Sequence, residues 1–139
     1  MSSEPEDLGL LVKRLHHAHH RALDAGLLAL GVSLVQWNAL REIERHAGCS
    51  QHELAELTFN SDQAFGTLAT RLSVRGLVER RPGLGRAMLH RLTPKGKALL
   101  RAGQKVMSSV VGASFGPLGK AERCELARLL NKVLDARRA

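Results

Sequence analysis

The sequence predicts a mainly α fold with one small β-hairpin, and three observations carry that expectation. Apolar residues recur at spacings of three and four through most of the 139 residues, the period of a helix with one buried face. Residues that cap helices stand at the start of four such stretches: Ser33, Ser50, Ser61 and Thr93. Between Gly76 and Thr93 the helical period gives way to two β-compatible runs around Pro82-Gly83-Leu84-Gly85, which reads as a hairpin. The expected order is four helices, a hairpin and two more helices.

The first helix is expected from about Pro5 to Ala25, with Ser3 as N-cap and Glu6 and Asp7 at its positive end. Leu8, Leu11, Val12, Leu15, His19 and Ala22 form one stripe along it, and Gly26 and Gly31 bracket a break. Ser33 to Gln36 is a capping box opening a second helix that carries Trp37, Leu40 and Ile43 and ends at Gly48. A similar box, Ser50 to Glu53, opens a short third helix with Leu54, Ala55 and Leu57. Ser61 caps a fourth, in which Phe65, Leu68, Ala69 and Leu72 face inward and Gly76 supplies the left-handed turn at its end. Residues 77–81 and 86–92 are the two strands. Thr93-Pro94 then starts a long fifth helix with Leu99, Gly103, Val106 and Val110 on one face, and Leu126, Leu129, Leu130, Val133 and Leu134 set the face of a sixth. By organisation, residues 1–31 form an N-terminal helix, 32–93 a central lobe and 94–139 a pair of C-terminal helices.

Composition narrows the function. No apolar run approaches the roughly 20 residues that span a bilayer, and the acidic N-terminus does not read as a secretory signal. Cys49 and Cys124 lie far apart without zinc-type spacing, as expected of reduced thiols in a cytoplasmic protein. No P-loop, nucleophile elbow or dinucleotide-binding turn is present, so neither an enzyme nor a cofactor is expected. Lys and Arg number 21 against 13 Asp and Glu, a net charge of +8, which favours a polyanionic partner. With three Phe, one Trp and no Tyr, the chain lacks the stacking platforms that single-stranded nucleic acid requires. Double-stranded DNA is the expected partner, and no membrane.

A short helix, a turn, a second helix and a hairpin make a winged helix-turn-helix, whose second helix enters the major groove. With its apolar residues buried, the fourth helix presents Gln63, Thr67, Thr70 and Arg71, with Ser61, Gln63 and Ala64 in its first turn. Gln63 suits adenine as a bidentate pair, the Ala64 methyl suits thymine, Thr67 suits a base or a phosphate, and Arg71 reaches guanine or the backbone. Asp62 reads as a charge favouring the helix N-terminus. A polar helix face is most often solvated surface. The basic hairpin that follows changes that balance: Arg80 and Arg81 read as phosphate contacts, and Arg86, beside two glycines, as a minor-groove cation.

From Leu54 to Leu99 the chain resembles the MarR family of transcription regulators. The resemblance is carried by Ser50-Gln51-His52-Glu53-Leu54-Ala55, Leu68-Ala69-Thr70-Arg71-Leu72, Arg75-Gly76-Leu77-Val78-Glu79-Arg80 and Leu92-Thr93-Pro94-Lys95-Gly96. It implies a homodimer held by intertwined first and last helices, acting as a ligand-responsive repressor on a pseudo-palindromic operator. Ser61, Gln63, Ala64, Thr67 and Arg71 fall on the recognition helix, and Arg86 on the wing arginine. The tip Gly83-Leu84-Gly85 departs from the family in being shorter and lacking an acid. Independently, the stripes of the first, fifth and sixth helices exceed what a small winged core can cover.

Other features invite different readings. His16 and His20, one turn apart, have metal-chelating spacing, but no local Asp, Glu or Cys is read as completing a set, so no metal is expected. The same two histidines, with Trp37 as a wall, are candidates for lining the effector cavity that the resemblance implies, although Trp37 is better read as core. A metal- or redox-gated regulator through these histidines or Cys49 and Cys124 is the alternative within the fold. A winged-helix protein-interaction module without DNA function is the alternative outside it.

Overall fold

The computed structural model describes residues 3–85 and 87–138. Its elements are α1 (Pro5–Leu27), a 3-10 turn (Leu28–Leu30), α2 (Leu34–Arg45), α3 (Gln51–Leu57), α4 (Asp62–Val74), β1 (Val78–Pro82), β2 (Met88–Leu92), α5 (Pro94–Phe115) and α6 (Lys120–Arg138). The two strands are antiparallel, pairing Val78 with Leu92, Arg80 with His90 and Pro82 with Met88.

Local chemistry explains most boundaries. At α2 the box is complete: Ser33 Oγ accepts the Gln36 N–H, and Gln36 Oε1 accepts the Ser33 N–H, each at 3.1 Å. Helix α4 ends in a Schellman motif, with Gly76 at φ +74°, its N–H on Ser73 O and the Leu77 N–H on Leu72 O. Thr93 caps α5 through the Gly96 N–H at 3.0 Å. At α1 the expected Ser3 cap is replaced by Glu4, whose side chain makes no capping bond. Proline takes the first helical position, so the residue before it, kept extended by the ring, is the cap. Helix α1 also runs through Gly26 rather than breaking there. A Cβ at 26 would lie 2.5 Å from Val106 Cγ1, so this glycine serves a close crossing of α5.

The turn between α3 and α4 repeats the Schellman pattern with a non-glycine. Phe59, 98% exposed, adopts φ 59°, while the Asn60 N–H reaches Ala55 O and the Phe59 N–H reaches Glu56 O. A Cβ in the left-handed region costs on the order of 1 kcal/mol. Phe59→Gly is therefore expected to stabilise the fold by about 1 kcal/mol in urea titration, and a loss of stability would show that the ring makes a contact worth more than the strain.

Two apolar clusters hold the fold. One joins α2, α3, α4 and the wing root through Leu40, Ile43, Leu54, Phe65, Leu72, Leu77 and Leu92. The other joins α1, α2 and α5 through Leu23, Leu27, Leu34 and Trp37, with Val106, Met107 and Val110 against them. Trp37 is 1% exposed, donates from Nε1 to Leu100 O at 3.2 Å, and carries the Arg41 guanidinium 5.4 Å from its ring. It is a core residue here and not an open cavity wall. In contrast, Leu8, Leu11 and Leu15 of α1 and Leu129, Leu130 and Leu134 of α6 lie exposed. Helix α6 buries no residue and has no extensive packing on any other element.

His90 is a buried titratable group in the core beside α4. It is 2% exposed and meets the Phe65 ring edge-on at 5.7 Å. Burial, and then the Arg80 charge, push it down to about 4, against a small opposing pull from the Met88 carbonyl. A base with a depressed pKa binds its proton more readily in the unfolded chain. Its contribution is therefore full above about 6.5 and is lost as pH falls towards 4. Unfolding free energy is expected to drop by roughly 2–3 kcal/mol across that window. His90→Leu should flatten this part of the profile, and an unchanged slope in the variant would assign the loss to other groups.

Candidate nucleic-acid interface

The helix-turn-helix is assembled from two capped helices. Ser50 Oγ accepts the Glu53 N–H at 3.2 Å and donates to Glu53 Oε1 at 3.0 Å, fixing the start of α3. Ser61 Oγ accepts the Ala64 N–H at 3.1 Å and fixes the start of α4. Across the turn stands His52, a residue that sequence reading passed over. Its Nδ1 lies 2.9 Å from Asp62 Oδ1 and its Nε2 lies 3.3 Å from Glu56. The Asp62 hydrogen bond first, and then the charges of Asp62 and Glu56, raise its pKa. Asp62 is thus engaged with α3 as well as sitting in the first turn of α4. Only the i, i+4 spacing of His52 and Glu56 was visible in sequence.

Helix α4 divides as its period requires. Phe65, Ala69 and Leu72 are fully buried, Leu68 is half-buried, and Gln63, Ala64, Thr67, Thr70 and Arg71 are exposed. The hydroxyls of Thr67 and Thr70 donate back to Gln63 O at 3.1 Å and Gly66 O at 2.9 Å. Gln63, Thr67, Thr70 and Arg71 line an open groove of about 510 Å³, with Gln51 and Arg80 on its other side. The groove is open, and its side chains offer donors and acceptors at helical spacing.

The wing arginines are not equivalent. Arg81 is exposed, with Glu79 at 3.7 Å, and Arg91, on the paired strand, lies 3.2 Å from the same carboxylate. Arg91 belongs to the basic surface although sequence reading did not single it out. Arg80, read from sequence as a phosphate contact, instead turns its guanidinium onto Thr70 Oγ1 at 3.1 Å and Gln51 Oε1 at 2.8 Å. Arg86 lies outside the described residues.

The histidine cluster is dispersed among structural contacts. His19 shares a 2.6 Å hydrogen bond with Ser114 and packs on Phe115 at 5.5 Å, tying α1 to the end of α5. His20 lies 3.2 Å from Asp24, whose other oxygen accepts the Leu34 N–H at 2.6 Å. A carboxylate one turn on therefore does accompany His20, contrary to the sequence reading, and it serves the junction of α1 with α2. The rings of His16 and His20 lie 6.2 Å apart. Among the described residues no three His, Cys, Asp or Glu side chains converge on a metal position. Both cysteines are free thiols. Burial, and then Glu53, raise the Cys49 pKa, the opposite of activation. No single described helix is long and apolar enough to cross a membrane.

Comparisons with known proteins agree with this geometry. A family model described as MarR family matches residues 30–86. The chain is 28% identical to an HTH-type transcriptional repressor of Mycobacterium tuberculosis over 128 residues, 91% of this chain and 92% of the relative. It is similar to a crystal structure of a mutant MarR from E. coli complexed with operator DNA, with a TM-score of 0.84 and 26% identity, covering 92% of this chain and 94% of the other. It is also similar to a M. tuberculosis MarR family protein in complex with p-aminosalicylic acid, with a TM-score of 0.75 and 28% identity over 91% and 97% of the two chains.

Proposed function

We propose that the chain, similar to MarR family proteins, is a ligand-responsive transcriptional repressor of that family that binds a pseudo-palindromic duplex operator as a homodimer in the cytoplasm and catalyses no reaction. The exposure of the Gln63–Thr67–Arg71 side of α4, with its apolar side fully buried, carries this reading. In it, Gln63 and Arg71 read base edges, Ser61, Ala64, Thr67 and Thr70 complete the helix surface, and Arg81 and Arg86 bring positive charge to the backbone and minor groove. The exposed leucines of α1 and α6 supply the dimer contact, and two-fold symmetry places two such helices about one DNA turn apart. The structural relatives bound to operator DNA and to p-aminosalicylic acid support a small-molecule effector, and aromatic carboxylates are the first class to screen. His16 and His20 remain candidates for that role; Trp37, being buried, is not retained.

Selection of bound sequences from a random duplex pool tests this directly. A palindromic consensus should emerge, and Gln63→Ala and Arg71→Ala should each weaken discrimination by about 1–3 kcal/mol per half-site. No enrichment, or wild-type discrimination in both variants, would remove this face from DNA reading. A salt-independent protein partner without duplex affinity would point to an interaction module instead.

A further inference from the structure

Arg80 stands apart from the other described cations of the wing. Its two terminal nitrogens are used on acceptors from different helices, Thr70 Oγ1 of α4 and Gln51 Oε1 of α3. Its Nε is buried with no hydrogen-bond partner, so the root of the guanidinium is sunk in protein and not displayed to solvent. The planar fork of arginine suits such a two-acceptor span, which a lysine ammonium on a flexible stem does not reproduce.

A second observation lies beneath this contact. To reach Arg80, the Gln51 side chain crosses α4 at Gly66, where a Cβ would lie 2.9 Å from Gln51 Nε2. Glycine inside a helix is destabilising relative to alanine, so its presence at position 66 calls for a local reason. The crossing supplies one. Gln51, Gly66, Thr70 and Arg80 form one tie between α3, α4 and β1.

We propose that Arg80 is a positioning residue, a strut that sets the angle between the wing and the recognition helix, and that it is not one of the phosphate contacts. This rests on the DNA-reading face assigned above. Its role in specificity is indirect: the strut holds Thr70 and the wing root in one frame, so that both meet the same duplex in register. The salt-dependent attraction belongs to other cations of the surface, Arg81 and Arg91 among them.

Salt-dependent binding of Arg80→Ala, Arg80→Lys and Gln51→Ala to the selected operator and to a scrambled duplex tests the proposal, together with amide hydrogen exchange of the free proteins. All three variants should lose discrimination by about tenfold. Their slopes of log affinity against log salt should match wild type, and the amides of β1 and β2 should exchange faster. Each lost phosphate contact lowers that slope by about 0.9. A slope reduced by that amount per protomer in Arg80→Ala and restored in Arg80→Lys would overturn the strut, as would unchanged exchange. Should the wild-type protein show no operator preference, the DNA reading fails, and the exchange measurement alone decides for or against the strut.

Discussion

Gly96→Ala is expected to destabilise the protein by more than about 3 kcal/mol, above the usual range for overpacking. The sign is the informative part, because alanine in a helix ordinarily stabilises by about 1 kcal/mol relative to glycine. Here a Cβ at 96 would lie 2.1 Å from the carbonyl oxygen of Leu77 and 3.1 Å from its carbon. Neither side can yield cheaply. Leu77 is 1% exposed, its N–H is committed to Leu72 O and its carbonyl accepts the Thr93 N–H at 3.1 Å. On the helix side, the Thr93 cap fixes the first turn of α5. A fall in melting temperature of roughly 10 °C is expected for a chain of this size. The exposed neighbour Lys97→Ala should stay within about 0.5 kcal/mol. Equal melting of Gly96→Ala and wild type would mean that α5 and the wing root are not in contact as described.

Leu130→Glu is expected to weaken the proposed homodimer more than a hundredfold, equivalent to at least about 3 kcal/mol. Helix α6 has 19 residues and none of them is buried. An isolated helix of that length is marginal in water, and Leu129, Leu130, Val133 and Leu134 stay between 43% and 63% exposed. In the proposed homodimer a second chain is the cover that α1 and α6 lack. A carboxylate placed in that contact twice, once per copy, loses its solvation without gaining a partner. Sedimentation should show monomers at concentrations where wild type is dimeric, and operator affinity should fall with them. Lys132→Gln, on the opposite side of α6, should leave both unchanged. A dimer unaffected by Leu130→Glu would move the interface off α6.

What sequence made legible was local. Ser33 with Gln36, Thr93 with Pro94, and Gly76 after an apolar period each specify geometry within a few residues, and each forms as expected. The apolar stripes of α1 and α6 were legible as stripes, since periodicity reports what wants cover. The contacts that sequence did not show have a common physical cause. Arg80 looks like any wing cation until Gln51, 29 residues away, is brought across Gly66 by the packing of α3 on α4. Trp37 read better as core than as a cavity wall, and the close approach of α5, where a Cβ at Gly103 would lie 2.1 Å from Trp37 Nε1, agrees with the core reading. Asp24 was within one turn of His20 and could have been read. Its second bond, to the Leu34 N–H, depends on how the chain turns through Gly31.

Thr93 has a consequence for how this protein can vary. Its hydroxyl donates to Gly76 O at 2.6 Å, and its N–H reaches Leu77 O, so the chain leaves α4 and rejoins the body at one point. The hairpin is a closed excursion with pinned ends. Residues can be inserted or deleted at its tip without shifting α4 against α5, so reach along DNA can be lengthened or trimmed while the rest of the frame keeps its dimensions.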